Sequence, residues 1–122
     1  MTRVKENKIR ERRIEMEAVV DAYNAEERAM GWYYYLEERL KVPFKARCKS
    51  KREVSPLRVR EEMDVVGMAA EEEFESEMFV RVRWDGRRLA VPLSQLEPMA
   101  ADPATREAVA DWHYWVVRGY QF

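Results

Sequence analysis

Residues 78–98 constrain the fold most, because they predict two antiparallel strands joined by a tight turn. From Met78 to Trp84, one set of alternate residues is wholly apolar and the other contains two arginines, which is the period of a strand with one buried and one wet face. Asp85-Gly86 supplies the turn, and the chain returns as a strand from Leu89 to Leu93. The sequence therefore predicts a β-hairpin.

Two more segments before this hairpin predict strands. Phe44–Arg52 alternates apolar with basic residues, as a half-buried strand does. Leu57–Met68 predicts a longer, bent strand region, in which Gly67 marks a bulge or a turn. Short strands joined by tight turns close most economically into a small SH3-like antiparallel β-barrel.

Helical segments are predicted before these strands. Lys5–Tyr23 consists mostly of good helix formers. Asn24 is a suitable N-cap for a second helix, Ala25–Leu40, which Pro43 ends. Spacings of three and four predict that one side of this second helix is buried, with the residues Met30, Tyr33, Tyr34, Leu36 and Leu40. Four consecutive aromatic residues, Trp32–Tyr35, wrap more than half of the helix, so neighbouring elements have to cover more than one side.

A last helix begins at Asp102-Pro103, with an N-cap and a proline at its first position, and ends at Gly119. A chain of 122 residues is long enough for one compact domain and short for two. The prediction is a single α+β domain over residues 1–122, with N-terminal helical segments, a small SH3-like antiparallel β-barrel and a C-terminal helix.

The formal net charge of −1 hides a segregation of charge along the chain. Met1–Arg13 carries six basic residues and Lys41–Arg60 carries eight, whereas Glu61–Glu77 has acidic charges only. Proteins that bind nucleic acid through phosphates usually have a basic surplus, so nucleic acid is not the expected partner. The N-terminus lacks an apolar signal region and no stretch has the length of a membrane span. We therefore expect a cytoplasmic protein that makes no membrane contact.

Glu61–Glu77 contains eight carboxylates in seventeen residues and no lysine or arginine. Mutual repulsion among these carboxylates lowers stability unless cations compensate it. Ca²⁺ fits such a run, because it takes six to eight oxygen ligands and tolerates irregular geometry. One cysteine and one histidine disfavour the softer metals. Two interpretations stay open at this point: a calcium site, and a solvated acidic loop that pairs with the neighbouring basic strand.

A calcium site in this run requires ligands from a second element. No segment matches the EF-hand loop, and consecutive glutamates on an extended strand face opposite ways. Glu37 and Glu38, on the solvent side of the aromatic helix, are the natural candidates. The predicted metal ligands are Glu37, Glu38, Asp64, Glu71, Glu72, Glu73 and Glu75.

No catalytic or cofactor-binding residue is predicted, and the chain is not expected to be an enzyme. Asp111, His113 and Cys48 could be imagined as a catalytic set, but a lone histidine on an aromatic helix is far more often structural. The sequence has no serine elbow, phosphate loop or dinucleotide fingerprint. Arginines on an exposed strand face are usually solvated or ion-paired rather than bound to phosphates, which applies to Arg81, Arg83, Arg87 and Arg88.

Three stretches carry a family resemblance: VVDAYNAEERAMGWYYYLEERLKVPFKA, VRWDGRRLAVPLSQLEPM and DWHYWVVRGY. They resemble the cyanobacterial calcium-binding protein family, and the resemblance extends from about Val19 to Tyr120. It implies an aromatic helix, a small β-barrel and a small cytoplasmic protein that binds Ca²⁺ through surface carboxylates without an EF-hand. It also implies a calcium buffer in cell differentiation. Family members often have aspartate where this chain has Glu38.

The expected function is therefore calcium-ion binding, as a buffer or a sensor, with Ca²⁺ as the ligand. The alternative is an SH3-like interaction module that binds a peptide or nucleic acid, in which the acidic segment is a linker or a shield for the basic strand.

Overall fold

The structure is a computed structural model that describes residues 6–69 and 77–119. Its elements are α1 (Lys8–Arg13), a π-helical turn (Ile14–Ala18), α2 (Ala25–Arg39), β1 (Phe44–Cys48), β2 (Glu62–Met68), β3 (Phe79–Trp84), β4 (Arg87–Pro92), a 3-10 turn (Leu93–Gln95), β5 (Leu96–Ala100) and α3 (Pro103–Val117). The α+β class, the N-terminal helical segments and the C-terminal helix are confirmed. Neither described range contains a helix long and apolar enough to cross a membrane.

The five strands form one antiparallel sheet in the order β4-β3-β2-β1-β5. The predicted hairpin is confirmed as β3 and β4, in which Trp84 lies opposite Arg87. Asp85 and Gly86 form the turn with φ of 50° and 71°, as the tight turns that suit twisted hairpins require. The register between β2 and β3 shifts between Val65 and Gly67, so the predicted bulge is also confirmed.

The SH3-like barrel is not confirmed, because the sheet is not closed. β4 and β5 form its two edges, and among the described residues no ladder joins them. The 3-10 turn that separates these strands is hydrogen-bonded to other elements. Leu93 N–H donates to the Met78 carbonyl at 2.9 Å, and the Gln95 carbonyl accepts from Lys49 N–H at 2.8 Å.

The strand region predicted over residues 57–68 begins later than expected. Leu57 is buried, but it lies in an irregular segment before β2. Arg60 has a φ of 78°, which is incompatible with an extended strand. Its N–H donates to the Cys48 carbonyl at 2.8 Å, so the chain turns at Arg60 and β2 starts at Glu62.

The buried face of α2 differs from the predicted one. Trp32, Tyr35 and Leu36 are buried, whereas Tyr34 is 53% exposed. Trp32 sets this orientation, because its ring packs edge-on against Trp112 of α3 at a centroid distance of 5.0 Å. The prediction that neighbours cover more than one side of α2 is confirmed, since α3, β2 and the π-helical turn all contact it.

A buried carboxylate holds α1 against the rest of the fold. Asp111 on α3 is fully buried. It accepts hydrogen bonds from Arg10 at 2.8 Å, from Arg13 at 2.8 and 2.9 Å, and from the Tyr35 hydroxyl at 2.6 Å. One carboxylate therefore joins α1, α2 and α3.

Candidate metal centre

The first part of the acidic run Glu61–Glu77 forms β2, and its remaining part is the connection between β2 and β3. Four predicted ligands, Glu71, Glu72, Glu73 and Glu75, lie in residues 70–76, outside the described residues. On either side of this segment the strands stay paired, because Ala69 N–H donates to the Phe79 carbonyl at 3.1 Å. The four glutamates are therefore carried by a short connection whose two ends are held together by the sheet.

Glu77, at the end of the acidic run, has a protein cation as its partner. Arg52 contacts both of its carboxylate oxygens, at 2.7 and 3.2 Å, in the two-pronged geometry that favours arginine. Ser94 donates to the same carboxylate at 3.2 Å. The hydrogen bond to Glu77 raises the pKa of Arg52 above its ordinary value. Pairing between the basic and acidic stretches, which the sequence left open, thus occurs at this residue.

The carboxylates at the start of the acidic run also have partners in the sheet. Glu61 accepts a hydrogen bond from the indole N–H of Trp84 at 3.2 Å. Asp64 lies directly opposite Lys45 on β1 and Arg83 on β3, and its carboxylate is 3.9 Å from the Arg83 guanidinium. Asp64, a predicted metal ligand, therefore lies between two cationic side chains.

Glu37 and Glu38 are exposed in the last turn of α2. Neither forms a salt bridge with any residue of the ranges 6–69 and 77–119. Carboxylates at a helix C-terminus are unfavourable, because they meet the negative end of the helix dipole. The adjacent cation does not compensate them, since Arg39 is ion-paired with Glu17 and lies 4.4 Å from the Tyr35 ring centroid. This pair of carboxylates is therefore available to a cation from solvent.

Glu77, which borders the acidic connection, and the two glutamates of α2 lie near different parts of α3. Arg39, beside the glutamates of α2, accepts through its carbonyl from Thr105 in the first turn of α3. Ser94, the partner of Glu77, follows Leu93, whose carbonyl lies 3.2 Å from Nε2 of His113. Eight residues of helix separate Thr105 from His113, which is about 12 Å along the axis.

Within the described part of the chain, no three carboxylate, histidine or cysteine side chains lie close enough to hold a metal ion. The described residues thus supply at most part of a metal centre. The chemistry of the whole predicted set still fits a hard cation, because every member is a carboxylate. The assignment of these seven ligands stays a prediction.

Asp111, His113 and Cys48 each contact different partners. Asp111 binds the arginines of α1, and the Cys48 thiol donates to the Ser50 carbonyl at 3.1 Å. His113 Nε2–H donates to Leu93, and its Nδ1 lies 3.4 Å from the ammonium group of Lys49. Burial, followed by the positive charge of Lys49, lowers the pKa of His113 to about 4. The imidazole is therefore neutral near pH 7 and both of its nitrogens are occupied.

Two of the contacts described above were not predicted from the sequence. The partners of Asp111 could have been suspected, because it lies three residues after buried Ala108 on the packed side of α3, where a carboxylate needs a cation. The contact between Arg52 and Glu77 had no such signal. It joins two loops that are 25 residues apart in sequence.

Comparison with known proteins gives three matches. The model of the CcbP family, whose description is calcium binding, matches residues 12–116. The crystal structure of Anabaena CcbP is 42% identical, with all of both chains covered and a TM-score of 0.88. A structure of a calcium binding protein in the calcium-binding form is also 42% identical over all of both chains, with a TM-score of 0.84. No curated protein sequence matches.

Proposed function

The chain belongs to the CcbP family of calcium-binding proteins, and from that premise we propose that it binds Ca²⁺ through two groups of carboxylates without an EF-hand. One group is the β2–β3 connection, with Glu71, Glu72, Glu73 and Glu75. The other is the last turn of α2, with Glu37 and Glu38. The observation that carries the proposal is the exposure of those two α2 carboxylates at an unfavourable helix end with no cationic partner in the described residues.

The β2–β3 connection suits a hard cation because of its charge and its length. Its four glutamates have no lysine or arginine within residues 70–76 to neutralise them. A bound divalent cation relieves the repulsion between adjacent carboxylates. Seven residues held at both ends reach outward by at most about 12 Å, at roughly 3.3 Å per residue in each arm. A site shared with α2 requires the two groups of carboxylates to lie within that reach.

Asp64 contributes less than the other proposed ligands. Its carboxylate is 3.9 Å from the Arg83 guanidinium, so it has to leave a protein cation before it binds a metal ion. Glu77 is outside the proposed set for the same reason, since Arg52 contacts both of its oxygens.

The proposed role is that of a calcium buffer or sensor rather than an enzyme. The family is a calcium-binding family, not an enzyme family. Oxygen-rich sites used by sensors have dissociation constants of roughly 10⁻⁷ to 10⁻⁵ M. A cytoplasmic location remains a prediction from the sequence.

Calorimetric titration with Ca²⁺ and with Mg²⁺ at physiological salt tests the proposal. Wild type should bind Ca²⁺ saturably, and the variant E71Q/E72Q/E73Q should bind at least tenfold more weakly, because ligand charge sets affinity. The control is E15Q/E26Q/E53Q, which removes three negative charges from exposed glutamates that have no salt bridge to a described residue. Equal weakening in both variants would mean that net charge, not a site, attracts the ion.

The interaction-module alternative is favoured by one observation, the contact of Arg52 with Glu77, since a shield for the basic stretch would make such contacts. It predicts no saturable calcium heat. It also predicts salt-sensitive retardation of nucleic acid on a gel.

A further inference from the structure

An open cavity lies between α3, the end of β1 and the 3-10 turn, and its described lining contains none of the metal ligands proposed above. It has a volume of about 380 Å³ and is lined by Lys49, Ser50, Ser94, His113, Val116 and Val117. This volume is at the small end of the range found for ligand sites in proteins. Its lining is divided into a polar side and an apolar side.

The polar side carries a positive charge that has no carboxylate partner among the described residues. Lys49 makes no salt bridge to any side chain in the described ranges, and its ammonium group lies 3.4 Å from the neutral imidazole of His113. That contact uses one of the three ammonium hydrogens, so two remain for a ligand. Ser50 and Ser94, which carry hydroxyl groups, line the same space.

The parts of the polar side are held in place by other contacts. The backbone of Lys49 is fixed by its N–H donating to the Gln95 carbonyl at 2.8 Å. His113 is held by Leu93 at 3.2 Å, and Ser94 lies 3.2 Å from both Arg52 and Glu77. Groups that are already positioned lose little conformational freedom when a ligand arrives, which favours binding.

The apolar side is formed by Val116 and Val117 near the end of α3. They are 37% and 54% exposed, although both are β-branched apolar residues. An inorganic anion would satisfy Lys49 and leave these side chains in water. An anion with an apolar chain would use both sides of the cavity, because burying apolar surface adds to the charge-assisted hydrogen bond.

We propose that this cavity binds a small monocarboxylate that has an apolar chain, with its carboxylate on Lys49 and Ser50 and its chain on Val116 and Val117. The charge balance among the described residues sets the number of carboxylates. Arg52 is already neutralised by Glu77 and His113 is neutral, so Lys49 leaves a surplus of one positive charge among these residues. The proposal does not rest on calcium binding, since the described lining of the cavity contains no proposed calcium ligand.

Hexanoate, titrated into the full chain in calcium-free buffer, is the probe, and the methyl NMR signals of Val116 and Val117 are the readout. The expected result is saturable binding with a dissociation constant on the order of 1 mM, which is typical of so small a ligand. Acetate, which lacks the chain, and hexanamide, which lacks the charge, should each bind at least about tenfold more weakly.

Two variants separate this site from general electrostatic attraction. K49Q should weaken hexanoate about tenfold, and K51Q, which removes the same charge from an exposed neighbour that does not line the cavity, should not. V117S should weaken hexanoate without changing acetate. The proposal is overturned if K49Q and K51Q act alike, if phosphate or acetate binds as tightly as hexanoate, or if the valine signals do not shift.

Discussion

Two titratable residues on α3, two positions apart, have opposite electrostatic roles. Asp111 is fully buried and forms salt bridges with Arg10 and Arg13 of α1, whereas His113 is held neutral by burial and by Lys49. Each role follows from the contacts of the side chain rather than from the residue type. Each leads to a stability prediction that is independent of calcium.

Replacing Asp111 with asparagine should destabilise the fold by about 3 kcal/mol, because it leaves Arg10 and Arg13 without the charge that they share. Chemical denaturation of D111N measures this change in the free energy of unfolding. The control is D85N, at an exposed turn position where asparagine is equally suited, and it should change stability by less than about 0.5 kcal/mol. Equal stabilities for D111N and wild type would contradict the role of Asp111.

His113 should make the fold less stable as pH falls from about 6.5 to about 4. Its pKa is lowered in the folded state, so below its ordinary value the unfolded chain takes up the proton more readily and the free energy of unfolding decreases. Above pH 6.5 His113 is neutral in both the folded and the unfolded chain, so it does not change the free energy of unfolding there. The decrease in the free energy of unfolding amounts to roughly 3 kcal/mol.

The variant H113Q isolates this contribution, because glutamine can still donate to the Leu93 carbonyl but does not titrate. The difference in stability between wild type and H113Q should shrink between pH 7 and pH 4. A difference that is constant over this range would show that His113 titrates alike in both states.

At the residue scale, the sequence predicts the general role of a residue but not which residues it contacts. It favours a structural role for His113 over a catalytic set with Asp111 and Cys48, and in the structure each of the three contacts a different partner. It does not predict the ion pair between Arg52 and Glu77. That contact depends on how two loops approach each other in space, which no local period encodes.

At the element scale, the last turn of α2 carries the clearest electrostatic conflict in the described residues. Two glutamates are exposed at the negative end of the helix dipole. Without a cation this arrangement lowers stability, and with one it supplies ligands. The same two residues should therefore affect stability and affinity in opposite directions.

The double variant E37Q/E38Q should be more stable than wild type without calcium, by about 0.5–1 kcal/mol, and should bind Ca²⁺ roughly tenfold more weakly. Thermal unfolding in calcium-free buffer and calorimetric titration measure the two effects. The matched control E15Q/E26Q removes two exposed helical carboxylates elsewhere and should leave calcium affinity unchanged. A variant that keeps wild-type affinity would remove α2 from the site.

The contact between α2 and the π-helical turn depends on Gly31. A Cβ atom at this position would collide with the backbone carbonyl of Ala18, so G31A should destabilise the fold by about 1–3 kcal/mol. G67A is the control, because a Cβ atom added at Gly67 would meet no other atom within 4 Å, and it should be nearly neutral. Denaturation curves of the two variants test this, and equal stabilities would mean that the N-terminal segment moves aside freely.

The sequence predicts elements better than it predicts how they pack. The hairpin, the cap at Asn24 and the start of α3 are confirmed, because alternation, a capping side chain and a proline are local signals. The face of α2 was wrong at Tyr34, since helical spacing allowed several faces and the packing of Trp32 against Trp112 selected one. The closed barrel was not confirmed for a similar reason, since closure depends on pairing between the two edge strands of the sheet, which are distant from each other.

At the scale of the whole molecule, the segregated charges of the sequence lie at separate places in the fold. The basic residues of α1 bind Asp111, Arg52 binds Glu77, and the α2 glutamates remain without a described cation. Some of the charges that are segregated along the chain therefore form ion pairs in the fold, whereas the glutamates at the end of α2 have no described cationic partner. The central claim is that calcium joins the carboxylates of the β2–β3 connection to those of α2.

Residue-resolved NMR titration of the isotope-labelled chain with Ca²⁺ tests this claim most directly. The amide signals of residues 71–75 and of Glu37 and Glu38 should shift together and saturate at the same calcium concentration, whereas Mg²⁺ should produce smaller shifts, because it prefers to keep its waters. Saturating shifts that are confined to one of the two groups, or that occur at neither, would contradict a shared site.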